Sequence, residues 1–385
     1  MSERVHSVNG AILTWARERA GLSVADVASS VDKSIEDIEA WERGAAWPTY
    51  TQLEALAETV FHRPVALFFF PEPPVEVSAQ EEFRTLPDFE VADLSHDTRY
   101  AVRIGLAYQE SLRELSGGTN PAERLITKDL RVSVSEDVSV VAARLREYLG
   151  VSLAEQMAWA NPESAMAQWR NAVEAAGVYV FKRSFKQREV SGFCLTDGTF
   201  PIIFINNSTS FNRQIFTLFH ELAHLLFGVN SITTEKTGFI DQMPDEGRSL
   251  EIACNRLASE FLMPVESFPW TDFRPEDVNG SVAAIASRYK VSRETVLRRL
   301  LDRGLVTQTL YRERAASWAS DTRRGGEGTG GDYYSTQAAY LGRGYLELAF
   351  SRYRAGLVSV GDLAEHLGVK AKYIGKLESR LYGRS

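Results

Sequence analysis

The chain has 385 residues, 44% hydrophobic, 24% charged and 11% aromatic. That is material for about two to three domains with a real core, and it excludes a disordered chain. The only two cysteines, Cys194 and Cys254, exclude a disulfide framework and a Cys-rich zinc finger, so any metal must sit on His and carboxylates. A net charge of -8 argues against non-specific coating of nucleic acid. No apolar run is long enough for a membrane span and the N-terminus has no leader pattern, so the expected compartment is the cytoplasm, with no membrane partner.

From 9 to 60, apolar residues recur at helical spacing: Ile12, Trp15 and Ala16, then Val24, Val27 and Ala28, then Ile35, Ile38 and Trp41, then Leu53, Leu56 and Ala57. Ser23 and Ser34 stand where N-caps belong, and Gly44 followed by Pro48 stops the third segment, which gives a helix-turn-helix outline. The stiff Pro71-Glu-Pro-Pro74 closes this first module. Residues 100–115, 138–149 and 165–176 read as helices of a second. The period then changes at 178–181, 190–195 and 201–205, short β-rich runs separated by turn residues such as Asp197-Gly198, and these predict a small antiparallel sheet. Helices are predicted over 211–227 and 250–262, and two short ones over 281–305 joined at Val291-Ser292. A Gly-rich stretch at 323–331 reads as a flexible linker. The tail from 334 to 381 is helical, with helix-turn-helix spacing over 356–377.

The chemistry concentrates in His220-Glu-Leu-Ala-His224. On a helix, positions i and i+4 share a face, so both imidazoles can bind one Zn²⁺, while Glu221 beside them can take a proton from a water at the metal. The flanks Ile215, Phe216, Leu218, Phe219, Leu225, Leu226 and Phe227 are apolar, and burying two His and a Glu without compensation would cost several kcal/mol. A metal supplies the compensation. Two-His zinc sites usually take a third protein ligand; Glu251 on the next helix is the prime choice, with Asp241, Asp245 and Glu246 competing from the polar connection. Asn255, one turn after Glu251, is placed to accept from the free N–H of a ligating His. Cys254 on the same apolar helix reads as a small core residue.

His220–His224, the upstream 211–218 and Glu251 with Asn255 running into Phe261-Leu-Met-Pro264 resemble the ImmA/IrrE family of metallopeptidases, over about residues 175–310. The resemblance implies a gluzincin-like site with His220, His224 and Glu251 as zinc ligands and Glu221 as general base. Trp15-Ala-Arg-Glu-Arg-Ala-Gly-Leu22, Trp41-Glu-Arg-Gly44 and Pro48-Thr49 resemble the XRE-type helix-turn-helix often fused ahead of that peptidase. The expected architecture is therefore α+β: an all-α helix-turn-helix domain at 1–70, a linker at 71–95, a metallopeptidase domain at 96–320, a Gly-rich linker at 321–332 and a helical extension at 333–385. The expected activity is zinc-dependent endoproteolysis of a bacterial repressor, antitoxin or similar regulator. Operator DNA is a second expected partner, and XRE-type modules imply a homodimer. The competing class is a DNA-binding regulator or antitoxin with a non-hydrolytic zinc domain, which would need the three ligands but not Glu221.

Arg213 and Tyr289 are candidates to stabilise an oxyanion, and the strand at 202–205 is a candidate to pair with an extended substrate. Charge qualifies the DNA reading: the recognition-helix position of the N-terminal outline, residues 34–42, carries four carboxylates and no Lys or Arg, and residues 1–70 hold six Lys/Arg against ten Asp/Glu. Two later segments are basic, one with Arg288, Lys290, Arg293, Arg298, Arg299 and Arg303, the other with Lys370, Lys372, Lys376 and Arg380. Each fits either a phosphate-facing surface or the solvated face of an ordinary helix.

Overall fold

A computed structural model describes residues 4–76, 94–187, 189–234, 245–324 and 332–383. Two compact units emerge, Met1–Ile104 and Gly105–Ser385. Much of the 71–95 linker, the Gly-rich 325–331 and Asp241 lie outside the described residues.

In the first unit, helices Gly10–Ala20, Val24–Ser30 and Ile35–Glu42 answer the predicted helix-turn-helix, and Tyr50–Glu54 continues as a π-helical stretch Ala55–Phe61. Asn9, Ser23, Ser34 and Thr49 cap them, with reciprocal boxes at Ser23/Asp26 and Thr49/Gln52 satisfying N–H groups that have no partner inside a helix. Ile12, Leu13, Ala16, Val27, Ile38, Trp41, Leu53, Leu56, Phe61 and Phe68 form the core. The first helix crosses the third at Gly10, where a Cβ would lie 2.3 Å from the Glu42 carbonyl oxygen, so no larger residue fits that crossing.

The second unit is built on one four-stranded sheet, β1 (Tyr179–Arg183), β2 (Val190–Leu195), β3 (Ile202–Asn206) and β4 (Ser231–Thr234), in the order β1-β3-β2-β4. The sheet is mixed, which corrects the antiparallel expectation: β2 pairs antiparallel with β3 and β4, but β1 and β3 run parallel. Short β-rich runs bounded by turns identify strands without fixing their neighbours. Here β3 slots between β1 and β2, and buried Asn206 at its end ties down the connection that spans it, accepting from Phe185 N–H and donating to the carbonyls of Gln187 and Val190. The central position of β3 also removes 202–205 as a substrate-pairing strand, since both its edges are used; β1 and β4 are the edges.

Both sheet faces are covered, hence the near-continuous apolar strands. Val180, Cys194, Ile203 and Ile205 face the core shared with helix Phe211–Leu226, whereas Phe181 and Phe204 meet Tyr108, Phe181 meets Tyr345, and Phe193 stacks on Phe204. Tyr345 belongs to the C-terminal helices Tyr333–Leu341, Arg343–Arg354, Val360–His366 and Ile374–Tyr382. A buried pair fastens this segment. Arg170 donates to the carbonyls of Ala339 (2.6 Å), Tyr340 and Val180 and to Glu174 Oε1 (2.9 Å), while Glu174 accepts from the backbone at Gly344. Gly342 must lack a side chain, because a Cβ there would fall 2.1 Å from the Arg170 guanidinium.

Candidate metal centre

Ser210 caps helix Phe211–Leu226 by accepting from Arg213 N–H, and the helix is buried on nearly every side from Gln214 onward. Its apolar residues explain the depth. Phe219 packs edge-on against Trp169 at 4.8 Å between ring centres and against Phe261 at 4.2 Å, which docks it to helix Asp245–Leu262. That docking carries Glu251 to the two imidazoles. Its carboxylate oxygens lie 3.1 Å from His220 Nε2 and 3.0 Å from His224 Nε2, and the two Nε2 atoms are 3.0 Å apart. One donor atom from each residue falls within 4.8 Å of the others, all three side chains are buried, and together they can hold a metal ion.

Electrostatics fit that use. Burial opposes charge on His220, but the charge and hydrogen bond of Glu251, helped by Glu221, raise its pKa above the ordinary histidine value. Burial likewise pushes Glu251 upward, and the two histidines overcome it, holding the carboxyl well below its usual range. Without metal the cluster is thus a proton-sharing pair, its negative charge balanced by a proton that a cation would displace. The Nδ1 atoms of both histidines are buried with no protein hydrogen-bond partner.

A pH dependence follows. The raised His220 pKa stabilises the metal-free fold below the ordinary histidine value and is lost as pH rises through the raised one; the lowered Glu251 pKa acts above the ordinary carboxylate value and is lost as pH falls through the lowered one. Metal binding needs His220 deprotonated. The increase in melting temperature on adding zinc is therefore expected to grow between about pH 6 and about pH 8, as scanning calorimetry would read; an increase that shrinks over that range would contradict the proton-for-metal exchange.

Glu221 is fully buried beside the cluster. Its two oxygens accept from Ser231 Oγ and Thr233 Oγ1, each at 2.5 Å. These partners escape the sequence reading, although Ser231 and Thr233, two apart on one strand face, are the signal that could have found them. The helix sits tightly on the sheet there: a Cβ on Gly192 would lie 2.6 Å from Thr217 Cγ2 and 3.7 Å from Glu221 Oε1.

Other expected positions fall elsewhere. Asn255 does not reach a histidine; its Nδ2 bonds back to the Glu251 carbonyl at 3.0 Å, the ordinary i to i−4 alternative for a short polar side chain. Tyr289 is buried and donates to the Ser267 carbonyl at 2.7 Å, which commits its hydroxyl to structure instead of an oxyanion. Arg213 is half-buried, and its charge opposes protonation of His220, so it lies within electrostatic reach of the cluster. Asp245 is exposed and outside the triad. Cys254 is fully buried in the core, its thiol pushed up by burial. The first basic segment is divided: Arg299 pairs with Glu260 at 2.7 Å and holds the Ser259 and Met263 carbonyls, Lys290 donates to Ser287 and Met157, and Arg293 lies over Trp318, whereas Arg288, Arg298 and Arg303 are exposed, the first two facing Asp272 and Asp302.

Among the described residues no helix is long and apolar enough to cross a membrane. No curated protein matches the chain. A solved structure of a Mycobacterium tuberculosis transcriptional regulator is similar over 50% of this chain and 51% of that one, at 15% identity and a TM-score of 0.29, so the chain spans about half of that protein's length. Residues 173–301, which contain the sheet, the His220–His224 helix and Glu251, match the family described as the IrrE N-terminal-like domain, Peptidase_M78.

Proposed function

We propose that this protein is a zinc-dependent endopeptidase acting on a bacterial regulatory protein such as a repressor or an antitoxin. The observation that supports the reading is the convergence of His220, His224 and Glu251 in one buried cluster with Glu221 alongside. Two imidazole nitrogens and one carboxylate suit zinc with a coordination position left open, and His220, His224 and Glu251 would hold it. When bound, zinc supplies Lewis acidity toward a water and a scissile carbonyl. Glu221 accepts the proton of the attacking water and passes it to the leaving amine. Ser231 and Thr233 leave half of the carboxylate's lone pairs free for this, and they fix its direction. An extended substrate adds along the edge strand β4, next to Glu221.

Removing both hydroxyls (Ser231→Ala with Thr233→Ala) is expected to lower kcat about tenfold through loss of orientation while metal content and KM hold. An unchanged kcat would make the two hydroxyls bystanders. The reading itself is tested by incubating the zinc-loaded chain with the protein encoded beside it and with a proteome-derived peptide library, and mapping new termini by mass spectrometry. Chelation should abolish cleavage and zinc restore it. A protein that binds zinc stoichiometrically and cuts nothing in either set would sink the peptidase reading.

For the N-terminal module we propose a protein partner in place of operator DNA. Its third helix, Ile35–Glu42, presents exposed Glu36 and Asp37, and Arg43 is engaged by Glu39 at 3.2 Å, so phosphate would meet mainly negative charge.

A further inference from the structure

A second helix-turn-helix closes the chain, and its surface has the opposite sign. Ser359 caps helix Val360–His366 in a reciprocal box with Asp362. The helix ends at Gly368, whose positive φ of 61° turns the chain, with Gly368 and Val369 N–H donating to the carbonyls of Glu365 and Ala364, each at 3.0 Å. A short turn at Ala371–Tyr373 leads into helix Ile374–Tyr382. Leu363, Leu367, Ile374 and Leu377 are buried with Tyr345 and Phe350 of helix Arg343–Arg354, which makes a three-helix unit of the kind that sets its last helix in a DNA groove.

On that last helix and the turn before it, Lys372, Lys376 and Arg380 recur at spacing of four, so they share a face, and all three are exposed, as are Lys370 and Ser379. The nearby acids are largely engaged: Glu378 is bound by Arg354 at 2.8 Å, Asp362 caps its own helix, and Asp332, which lies within electrostatic reach of Arg380, accepts from Ser335 N–H and Oγ at the start of helix Tyr333–Leu341, which leaves Glu365 on the preceding helix. Residues 333–385 hold eight Lys/Arg against four Asp/Glu, in a chain that is negative as a whole. Lys376 rests over the Tyr334 ring at 5.3 Å and Lys372 over Tyr373 at 5.1 Å, contacts that leave the ammonium hydrogens available.

We infer that the C-terminal helix-turn-helix docks on double-stranded DNA, with Ile374–Tyr382 in the major groove and Lys370, Lys372, Lys376 and Arg380 meeting phosphates and base edges. The inference does not depend on the peptidase reading. Three to four phosphate contacts give a salt slope of about −3, so affinity should fall about 50- to 150-fold between about 50 and 200 mM salt.

The test is fluorescence anisotropy of the full zinc-loaded chain with a labelled random-sequence DNA duplex about two turns long, across a salt series. Wild type should bind with that slope. Lys372→Ala with Lys376→Ala and Arg380→Ala should lose at least about tenfold in affinity at low salt and flatten the slope by about three, with an unchanged melting temperature. Lys33→Ala with Arg43→Ala in the N-terminal module should leave binding intact, as should chelation of zinc. If the triple variant melts early, the charge reversal Lys376→Glu replaces it and should weaken binding likewise. No binding by wild type at low salt would overturn the inference, as would binding retained by the triple variant or preference for single-stranded RNA over the duplex.

Discussion

Glu221→Gln should retain the metal and cleave peptide about 10²–10⁴-fold more slowly than wild type, the span a positioned general base contributes. The substitution keeps size and shape at a fully buried position, and its carbonyl oxygen can still accept from Ser231 or Thr233, so the helix should stay seated. What disappears is the basic oxygen. The donors at His220, His224 and Glu251 are untouched, so metal content by mass spectrometry should match wild type. This separates the two function classes: a scaffold that uses metal only for shape would show no difference between the proteins, and equal cleavage by both would remove Glu221 from the mechanism.

Phe219→Ala should strongly destabilise the fold of the second unit. The ring is nearly fully buried between Trp169 and Phe261, which pack on each other at 5.2 Å, and it is one residue from His220. Truncating a buried Phe leaves a cavity and costs about 3–5 kcal/mol. For a domain of this size that lowers the melting temperature by roughly 6–20 °C. Because Phe261 lies on the helix that carries Glu251, zinc affinity should fall with it. Calorimetry of zinc-loaded and chelated protein would read both effects. A shift below about 2 °C would mean that the Trp169 and Phe261 rings close the gap.

The two histidines of the buried cluster were legible because their signal is short-range: His220 and His224 are one turn apart on a strongly apolar helix, whereas spacing alone left Asp241, Asp245 and Glu246 beside Glu251 as the third member. Ser231 and Thr233 were not legible: β4 is four residues long and carries little hydrophobic pattern, and its place beside Glu221 depends on β2, which is far away in sequence. The misplacements share a cause. Asn255 and Tyr289 have suitable chemistry, but side-chain direction and the nearest free carbonyl decide where a polar tip goes, and neither is written in spacing. Strand order is equally non-local: short β-rich runs between turn residues reveal β1 and β3 but say nothing of their lying side by side in the same direction. Helix starts, by contrast, were plain, because Ser23 and Ser34 cap through contacts only three residues long.

The Arg170–Glu174 pair has a practical consequence for anyone who would shorten this chain. The Gly-rich stretch at 325–331 looks like a natural place to cut. Yet the Arg170 guanidinium on helix Pro162–Ala175 satisfies itself on carbonyls of Ala339 and Tyr340, and the carboxylate takes a backbone donor at Gly344. Excision of the last helices would take these partners from both groups, leaving them each other and the Val180 backbone, and would bare Phe181, whose ring lies against Tyr345. A trimmed chain would thus carry a wound on the far side of the sheet from its histidines, and dividing the gene there separates sequence without separating structure.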